Sequence, residues 1–140
     1  MTGNITFTMI KPSTVKAGYT GNIIAKIEEG EYKIKALRKV YISKEQAGRF
    51  YEMHIGKPFY EDLTTFMSSG PIIAAILEKE NAVESFRKFI GATDPAKAEE
   101  GTIRKVYGIS LSENAIHGSD SDESASRESG FFFSDLERFF

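Results

Sequence analysis

The stretch "PIIAAILE", residues 71–78, organises the rest of the chain. It is a nearly continuous apolar run with the length of a single strand. Such a run is typical of a strand that is covered on both faces. We therefore predict a buried central strand here, and the elements before and after it must supply the strands and helices that cover it.

Two further strands and a helix are predicted before this run. The stretch "ITFTMI", residues 5–10, alternates polar and apolar side chains and stops before Pro12, as a strand does. Residues 20–29 place isoleucines on one helical face, and Gly30 predicts the end of that helix. Alternation over residues 31–42 indicates a long, half-exposed antiparallel strand.

Helices flank the central run on both sides. Ser43 is a good N-cap for a helix over residues 44–54, and a short helix through residues 63–67 should follow it. After the run, Asn81 is a candidate cap for a helix over residues 82–90. The segment between strands two and three is therefore expected to be a helical insertion.

The last third of the chain is less regular. Residues 91–113 lose all periodicity, and an irregular segment of this length in a compact domain is usually functional or disordered. The stretch "NAIH", residues 114–117, predicts a last short strand. A helix should begin near Ser121, with Ala125 and Phe131 on its inner side.

The predicted order of elements is β-α-β-(αα)-β-α-loop-β-α. This order is that of a ferredoxin-like split βαβ fold of the α+β class, with a four-stranded antiparallel sheet and a long active-site loop. The 140 residues suit one domain, expected to span 1–140. The aromatic tail "GFFFSDLERFF", residues 130–140, should pack on its own domain or on a partner subunit.

Composition excludes several classes of function. With 18 basic and 20 acidic residues, the chain has no charge excess that would favour a general nucleic-acid binder. It contains no cysteine, which excludes disulfides and thiolate chemistry, and its two histidines make a zinc site improbable. Neither a signal-peptide pattern at the N-terminus nor an apolar block of membrane-spanning length is present, so we expect a cytoplasmic protein.

Three cations could hold phosphate groups. The chain has neither of the glycine-rich patterns that cradle nucleotide phosphates. A nucleotide would therefore need side-chain cations: Lys11 follows the first strand, Arg87 lies on a helix, and Arg104 lies in the irregular segment. A single cation at such a position is most often a solvated surface charge, and spacing alone does not bring the three together.

His117 is the strongest candidate for chemistry. Alternation turns it away from Ile116, and Ser119 with Asp122 matches a helix capping pattern, whose N–H groups could meet an anion. Glu128 could reach back from that helix to orient the imidazole. The residues alone leave two interpretations open: a surface histidine beside a capped helix, or a reactive group in an anion site.

Other polar and aromatic residues are weaker signals. His54 ends a predicted helix, where a structural role is the more common one. Phe59 follows a proline and could stack a base, although core packing is more common. Thr93 and Asn114 are loop residues able to contact phosphate or ribose.

Taken together, these residues resemble the nucleoside diphosphate kinase family. The stretch "NAIHGSDS", residues 114–121, is similar to the active-site signature of that family. Four longer blocks fall in family order without a large gap: "TFTMIKP", "YEMHIGKPFYEDLTTFMSSGP", "FRKFIGATDPAKAEEGTIRKVYG" and "NAIHGSDSDESASRE". The resemblance therefore covers essentially the whole chain and favours the catalytic interpretation of His117.

The resemblance implies a function and a set of roles. The family transfers the γ-phosphoryl group of a nucleoside triphosphate, typically ATP, to a nucleoside diphosphate by a ping-pong mechanism through a phosphohistidine, and so maintains NTP and dNTP pools. The implied roles are these: His117 as nucleophile, Glu128 as its orienting acid, Lys11, Arg87, Arg104 and Thr93 at the phosphates, Asn114 at the sugar, Phe59 at the base, and Tyr51 and Ser119 as polar active-site residues. Mg²⁺ is expected on the phosphates, with no protein residue as its ligand.

The resemblance also implies partners. Both ribo- and deoxyribonucleotides should bind, no membrane or specific nucleic acid is expected, and the family forms tetramers or hexamers built from dimers. Asp120, Asp122 and Glu123 would either point away from the cleft or engage Mg²⁺ through water. The alternatives are a nucleotide-sensing module without catalysis and a phosphohistidine carrier charged by another protein.

Two departures from the family pattern stand outside the signature. Ser13 and Thr14 follow "MIKP" where the family usually has an acid, and Glu31 stands where glycine is common. We expect activity to survive both changes.

Overall fold

The protein is described by a computed structural model that covers residues 3–140. The first two residues of the expected 1–140 domain, which also begin the stretch considered for a signal peptide, lie outside the described residues. Within residues 3–140 the strands are β1 Ile5–Ile10, β2 Lys33–Val40, β3 Ile72–Glu78 and β4 Ile116–Gly118. They form one antiparallel sheet in the order β2-β3-β1-β4, which confirms the predicted ferredoxin-like arrangement.

Helices cover both faces of this sheet. They are α1 Pro12–Lys16, α2 Thr20–Glu29, α3 Lys44–Phe50, α4 Tyr60–Met67, α5 Ala82–Ile90, α6 Ile103–Tyr107 and α7 Asp122–Phe132, with 3₁₀ turns at Glu52–His54, Pro95–Lys97 and Asp135–Glu137. None of the helices in the described part of the chain is long and apolar enough to cross a bilayer.

The central strand β3 is buried as its sequence predicts, with β1 on one side and β2 on the other. Alternate residues of β1 and β3 enter two separate cores. One core is formed with α3, α4 and α7 and includes Phe7, Met9, Phe50, Met67, Ile76 and Phe132. The other is formed with α2, α5 and α6 and includes Ile10, Ile23, Leu77, Phe86, Ile103 and Ile116.

The helix predicted over residues 44–54 is shorter than expected. Ser43 caps it as predicted, because its hydroxyl accepts from Gln46 N at 3.0 Å and the Gln46 side chain accepts from Ser43 N at 2.8 Å. However, α3 ends at Phe50, and the 3₁₀ turn follows. The carbonyl oxygen of Phe50, which a longer helix would use, accepts instead from the Arg127 guanidinium at 2.7 Å.

The short helices α1 and α6 were not predicted, because they contain too few residues to show a helical period. Pro12 does more than end β1: it stands at the first position of α1, where its fixed φ is suited to a helix. The segment 91–113 contains α6, which Thr102 caps by accepting from Lys105 N at 3.3 Å. The prediction that this whole segment is irregular was therefore wrong in part.

Details of two helix ends also differ from expectation. Helix α2 ends at Gly30, but the left-handed residue is Glu31, with φ 67°. Gly30 is needed for space, since a Cβ there would lie 2.7 Å from the Phe89 ring. Asn81 precedes α5 in a left-handed conformation and its side chain makes no capping hydrogen bond.

Helix α7 begins and packs differently from the prediction. Its cap is Ser121, whose hydroxyl accepts from Ser124 N at 3.0 Å, and not the predicted pair of Ser119 with Asp122. Its inner face carries Ala125 and Phe132, which are seven residues apart, whereas Phe131 is 37% exposed. A helix returns to the same face after seven residues, which explains why Phe132 and not Phe131 is buried.

The aromatic tail divides into two parts. Phe132 and Phe133 are buried in the core beside α3, but Phe139 and Phe140 are exposed. The backbone N–H of Phe139 donates to the Lys35 carbonyl at 2.8 Å, so the tail runs beside β2.

Candidate active site

His117 lies in the middle of β4, opposite Met9 of β1, and its side chain is 21% exposed. Ile116 before it is fully buried, so the alternation predicted for this strand is present. The imidazole packs against two phenylalanine rings, Phe7 at 6.1 Å and Phe50 at 6.0 Å between ring centroids, and these two rings also contact each other. Sequence reasoning missed both rings because they read as ordinary core residues.

Glu128 holds one nitrogen of this imidazole. Helix α7 carries the buried carboxylate to 2.9 Å from His117 Nε2, and the Ser119 hydroxyl donates to the same oxygen at 2.7 Å. A carboxylate accepts only, so Nε2 carries the proton and the lone pair of the neutral ring is on Nδ1. Ser119 is itself fixed, since its hydroxyl accepts from Phe7 N at 3.1 Å.

Tyr51 lies beside this pair. Its ring packs edge-on against Phe50 with 4.9 Å between centroids. Burial, and secondly the charge of Glu128, raise the pKa of the Tyr51 phenol, so the hydroxyl stays protonated and can act as a donor. The arrangement brings Tyr51, Ser119 and Glu128 together around His117.

The backbone just before β4 is strained. Ala115 has φ 77°, and Ile116 N donates to the Asn114 carbonyl at 3.0 Å, which closes a tight γ-turn. The Lys11 N–H donates to the Ala115 carbonyl at 2.8 Å and holds the turn. A left-handed alanine next to a reactive side chain is typical of functional sites, and no pattern in the sequence announces it.

Two cations are buried near this turn. Lys11 is 8% exposed and Arg104 is 9% exposed. Burial and the charge of Arg104 lower the pKa of Lys11 to about 8. Burial and the charge of Arg87 lower the pKa of Arg104 to about 10. Lys11 is thus close enough to Arg104, and Arg104 to Arg87, for their charges to repel. The fold brings these three predicted cations together, which their spacing in the sequence does not reveal.

Two nitrogens of the Arg104 guanidinium are hydrogen-bonded, and the third is not. Its terminal nitrogens donate to the Gly91 carbonyl at 3.1 Å and to the Ile116 carbonyl at 2.9 Å. Its Nε is buried without a hydrogen-bond partner among the described residues. The first turn of α1 holds no acid, so Ser13 and Thr14 place no carboxylate beside Lys11. Lys11 and Arg104 therefore have no ion-pair partner among the described residues, and such buried positive charge suits an anion.

A cavity of about 650 Å³ lies between α5 and the loop that follows it. Arg87, Thr93 and Arg104 line it, whereas the other predicted site residues do not. Asn114 is buried and its amide nitrogen donates to the Thr93 carbonyl at 3.0 Å, so it ties the loop to β4. Its amide oxygen is buried and has no partner within the described residues.

Phe59 stands apart from the cations, at the start of α4, and is 47% exposed. His54 packs on its edge with 5.1 Å between centroids, and the Lys57 ammonium lies 5.9 Å from the ring centroid. His54 Nδ1 is 3.2 Å from Lys57 Nζ, and burial followed by the Lys57 charge lowers the pKa of His54. His54 thus supports Phe59, as the structural interpretation of this histidine predicts.

The acids after His117 lie in different environments. A hydrogen bond from Ser124 and the charge of Arg87 lower the pKa of Asp120, so this carboxylate is ionised beside the cleft. Asp122 accepts from Gly3 N at 3.0 Å and is used at the chain start. Across residues 3–140, no group of three or more His, Asp or Glu side chains could hold a metal ion.

Comparisons with known proteins give a consistent result. A family model described as nucleoside diphosphate kinase matches residues 4–138. The nucleoside diphosphate kinase of Flavobacterium psychrophilum is 54% identical over 139 residues, which cover 99% of this chain and 100% of that protein. The enzyme of the same name from a Geobacter species is 54% identical over 132 residues, which cover 94% and 96%.

Solved structures show the same likeness. The nucleoside diphosphate kinase of Aquifex aeolicus matches with a TM-score of 0.93 at 40% identity, covering 96% of this chain and 98% of that one. The enzyme from Halobacterium salinarum, solved in complex with CDP, matches with a TM-score of 0.93 at 37% identity, covering 99% and 92%.

Proposed function

Because the chain belongs to the nucleoside diphosphate kinase family and transfers phosphoryl groups from nucleoside triphosphates to nucleoside diphosphates, we propose that His117 carries the group between them. The observation that carries this proposal is the hydrogen bond of 2.9 Å between His117 Nε2 and the buried Glu128 carboxylate. It leaves the lone pair on Nδ1 as the nucleophile. A module that only senses nucleotides would have no need for this arrangement.

The proposed transfer has two half-reactions. In the first, the Nδ1 lone pair attacks the γ-phosphorus of the triphosphate, and the N–P bond forms as the bond from phosphorus to the β–γ bridging oxygen breaks. The diphosphate leaves with that electron pair. Glu128 stabilises the positive charge that develops on the ring. In the second half-reaction a different diphosphate attacks the phosphohistidine through its terminal oxygen, and Nδ1 regains its lone pair.

The buried cations would hold the phosphates during both steps. Phosphoryl transfer depends mainly on positioning and on neutralising phosphate charge. Lys11 and Arg104 have the low exposure and the missing counter-charge that an incoming phosphate chain would correct. We propose that Arg87 and Thr93, which line the adjacent cavity, contact the same phosphates.

Mg²⁺ fits this site on the phosphates and not on a protein cage. The described residues contain no cluster of metal-ligating side chains, and Asp122 is engaged with the Gly3 N–H. Asp120 is the acid beside the cleft and could reach the ion through water. When bound, Mg²⁺ would supply positive charge that offsets the charge of the phosphates.

The sugar and base would be held by the remaining predicted residues. We propose that Asn114, whose amide oxygen lacks a partner within residues 3–140, binds a sugar hydroxyl. Tyr51 and Ser119 stay around His117 as supporting polar groups. Phe59 is an exposed aromatic at the start of α4, and stacking on a ring face tolerates any base. Broad use of ribo- and deoxyribonucleotides follows.

We also propose a homo-oligomer, a tetramer or hexamer built from dimers. The support is a set of exposed apolar side chains after Arg104, namely Val106, Ile109 and Leu111, together with Leu37 on the edge strand β2. Light scattering on the purified protein tests this assembly. A single domain over residues 1–140, a cytoplasmic location and the absence of nucleic-acid and membrane partners remain proposals, which limited proteolysis, cell fractionation and binding assays would test.

Labelling with Mg-ATP tests the proposed role of His117. The protein should acquire an acid-labile phosphate on His117, and added GDP or CDP should remove it as the triphosphate. His117→Gln should abolish transfer while nucleotide binding persists. Folded protein that takes no label would support the sensing alternative, and label that diphosphates cannot remove would support a carrier.

A further inference from the structure

Arg127 connects the helix that carries Glu128 to the helix that ends beside His117. It precedes Glu128 on α7, and its Nη2 donates to the Phe50 carbonyl at 2.7 Å and to the Arg49 carbonyl at 3.1 Å. Both are carbonyls in the last turn of α3, and that of Arg49 also accepts from the Tyr51 backbone N–H. A cation at this end also offsets the negative end of the helix dipole.

The same guanidinium packs over the Phe50 ring, 5.6 Å from the centroid. The Phe50 ring packs against the His117 imidazole and also packs edge-on against Tyr51. Arg127 therefore contacts an aromatic group that touches the reacting residue, without touching the imidazole itself.

Neighbouring residues of a helix project about 100° apart. Glu128 points to His117 while Arg127 points to the end of α3, so contacts in two directions hold α7 in place. If α7 rolled or slid, the Glu128 carboxylate would move away from Nε2 and the Nδ1 lone pair would lose its fixed direction. We propose that Arg127 is a positioning residue, which sets α7 against α3 so that Glu128 and Phe50 hold the nucleophilic form of His117.

The surroundings of the guanidinium favour this role over simple charge pairing. The nearest carboxylate, Glu52, is 3.8 Å from Nη2 and mostly exposed, which makes a weak ion pair. Nη1 is buried and has no partner in the described part of the chain. The side chain is thus placed for two backbone carbonyls and one ring, and its planar fork matters more than its charge.

The test compares three variants of the full-length protein. Arg127→Met removes the fork and the charge, and Arg127→Lys keeps the charge without the flat stacking surface. Lys79→Met is the matched control, because Lys79 Nζ also donates to a carbonyl at the end of a helix, that of Gly30 after α2 at 2.7 Å, and also lies over an aromatic ring, that of Tyr32 at 4.6 Å. Three quantities are measured: the single-turnover rate of His117 phosphorylation by Mg-ATP, the affinity for ADP, and the ¹⁵N signals of the His117 ring.

Displacement of a reacting group by a fraction of an ångström should slow phosphorylation about tenfold in Arg127→Met and about threefold in Arg127→Lys, with ADP affinity within about twofold. The ring signals should change from one tautomer to a mixture. Lys79→Met should lose stability but keep the rate and the single tautomer. If Arg127→Met does not fold, Arg127→Lys decides by the same signals.

The proposal is overturned if folded Arg127→Met or Arg127→Lys keeps the wild-type rate and tautomer, or if Lys79→Met slows phosphorylation as much. It rests on the proposed role of His117, and the two can be separated. Wild-type protein that forms no phosphohistidine removes that role. If the wild type and the Arg127 variants are phosphorylated equally fast, only the positioning role of Arg127 is wrong.

Discussion

Replacing Lys11 by methionine should make the protein more stable and less active at the same time. Lys11 is a buried cation, and no ion pair of the described residues includes it. Methionine keeps the length of the apolar stem and removes the charge. The backbone N–H of residue 11, which donates to the Ala115 carbonyl, is unaffected by the change.

The size of the stability change follows from the pKa. Burial, followed by the charge of Arg104, lowers the pKa of Lys11 from 10.5 to about 8. At about 1.4 kcal/mol per pKa unit, charged Lys11 costs the folded state about 3 kcal/mol well below pH 8. Lost contacts and relaxation reduce the gain, so we expect Lys11→Met to raise the free energy of unfolding at pH 7 by about 1–3 kcal/mol.

The pH dependence has a definite sign. Between pH 8 and 10.5 the unfolded chain holds more protons on Lys11 than the folded chain does. The free energy of unfolding of the wild type therefore rises with pH across this window, and the advantage of Lys11→Met shrinks. Urea denaturation at pH 7 and pH 10, in buffers without phosphate, measures both effects. Lys16→Met, an exposed change on the same short helix, is the control.

Function should change in the opposite direction. ADP should raise the melting temperature of the wild type more than that of Lys11→Met, and phosphorylation by Mg-ATP should slow about 100-fold, as expected for the loss of a buried contact between opposite charges. If Lys11→Met is less stable than the wild type at pH 7, or if the difference does not shrink towards pH 10, the electrostatic reasoning is wrong.

Three further predictions use other parts of the site and fold. The contacts of Glu128 with His117 and Ser119 both end on one carboxylate oxygen, so the amide oxygen of Glu128→Gln can keep them. This variant should slow single-turnover phosphorylation about tenfold, whereas Glu128→Ala should slow it at least about 100-fold. Equal rates in the two variants would contradict this geometry. Glu31→Gly should raise the free energy of unfolding in urea by about 1 kcal/mol, since φ is 67° there, while Glu31→Ala should not raise it. Phe59→Ala should weaken ADP binding about tenfold or more in calorimetry with a smaller effect on the rate at saturation, and an unchanged affinity would remove the stacking role.

The sheet was predictable because each strand has a simple pattern. "PIIAAILE" is apolar up to Glu78 and forms one inner strand, and "ITFTMI" alternates and forms the other. These patterns depend on burial alone, which a sequence expresses directly. Short α1 and α6 have no such pattern, since each has five residues and is set by a proline or a threonine cap.

The candidate site was predictable as a set of residues but not as a geometry. The position of His117 opposite Ile116 follows from strand alternation. The contacts of Phe7 and Phe50 with His117 and the convergence of Lys11 with Arg104 do not, because they join segments far apart in the chain. The left-handed conformation of Ala115 is local, but its residue type does not indicate it. Ser119 was assigned to a helix cap, although its hydroxyl binds Glu128. Local patterns cannot distinguish these uses of one serine.

The site combines a firmly held imidazole with buried cations that destabilise the empty protein. The imidazole of His117 is held by packing against Phe7 and Phe50 and by the hydrogen bond to Glu128, so little freedom remains to be lost when it attacks. The cations are held without counter-charges, which destabilises the empty protein. A phosphate chain would remove that destabilisation on binding. The same burial that lowers the pKa of Lys11 therefore strengthens its attraction to a phosphate, since water no longer screens the charge.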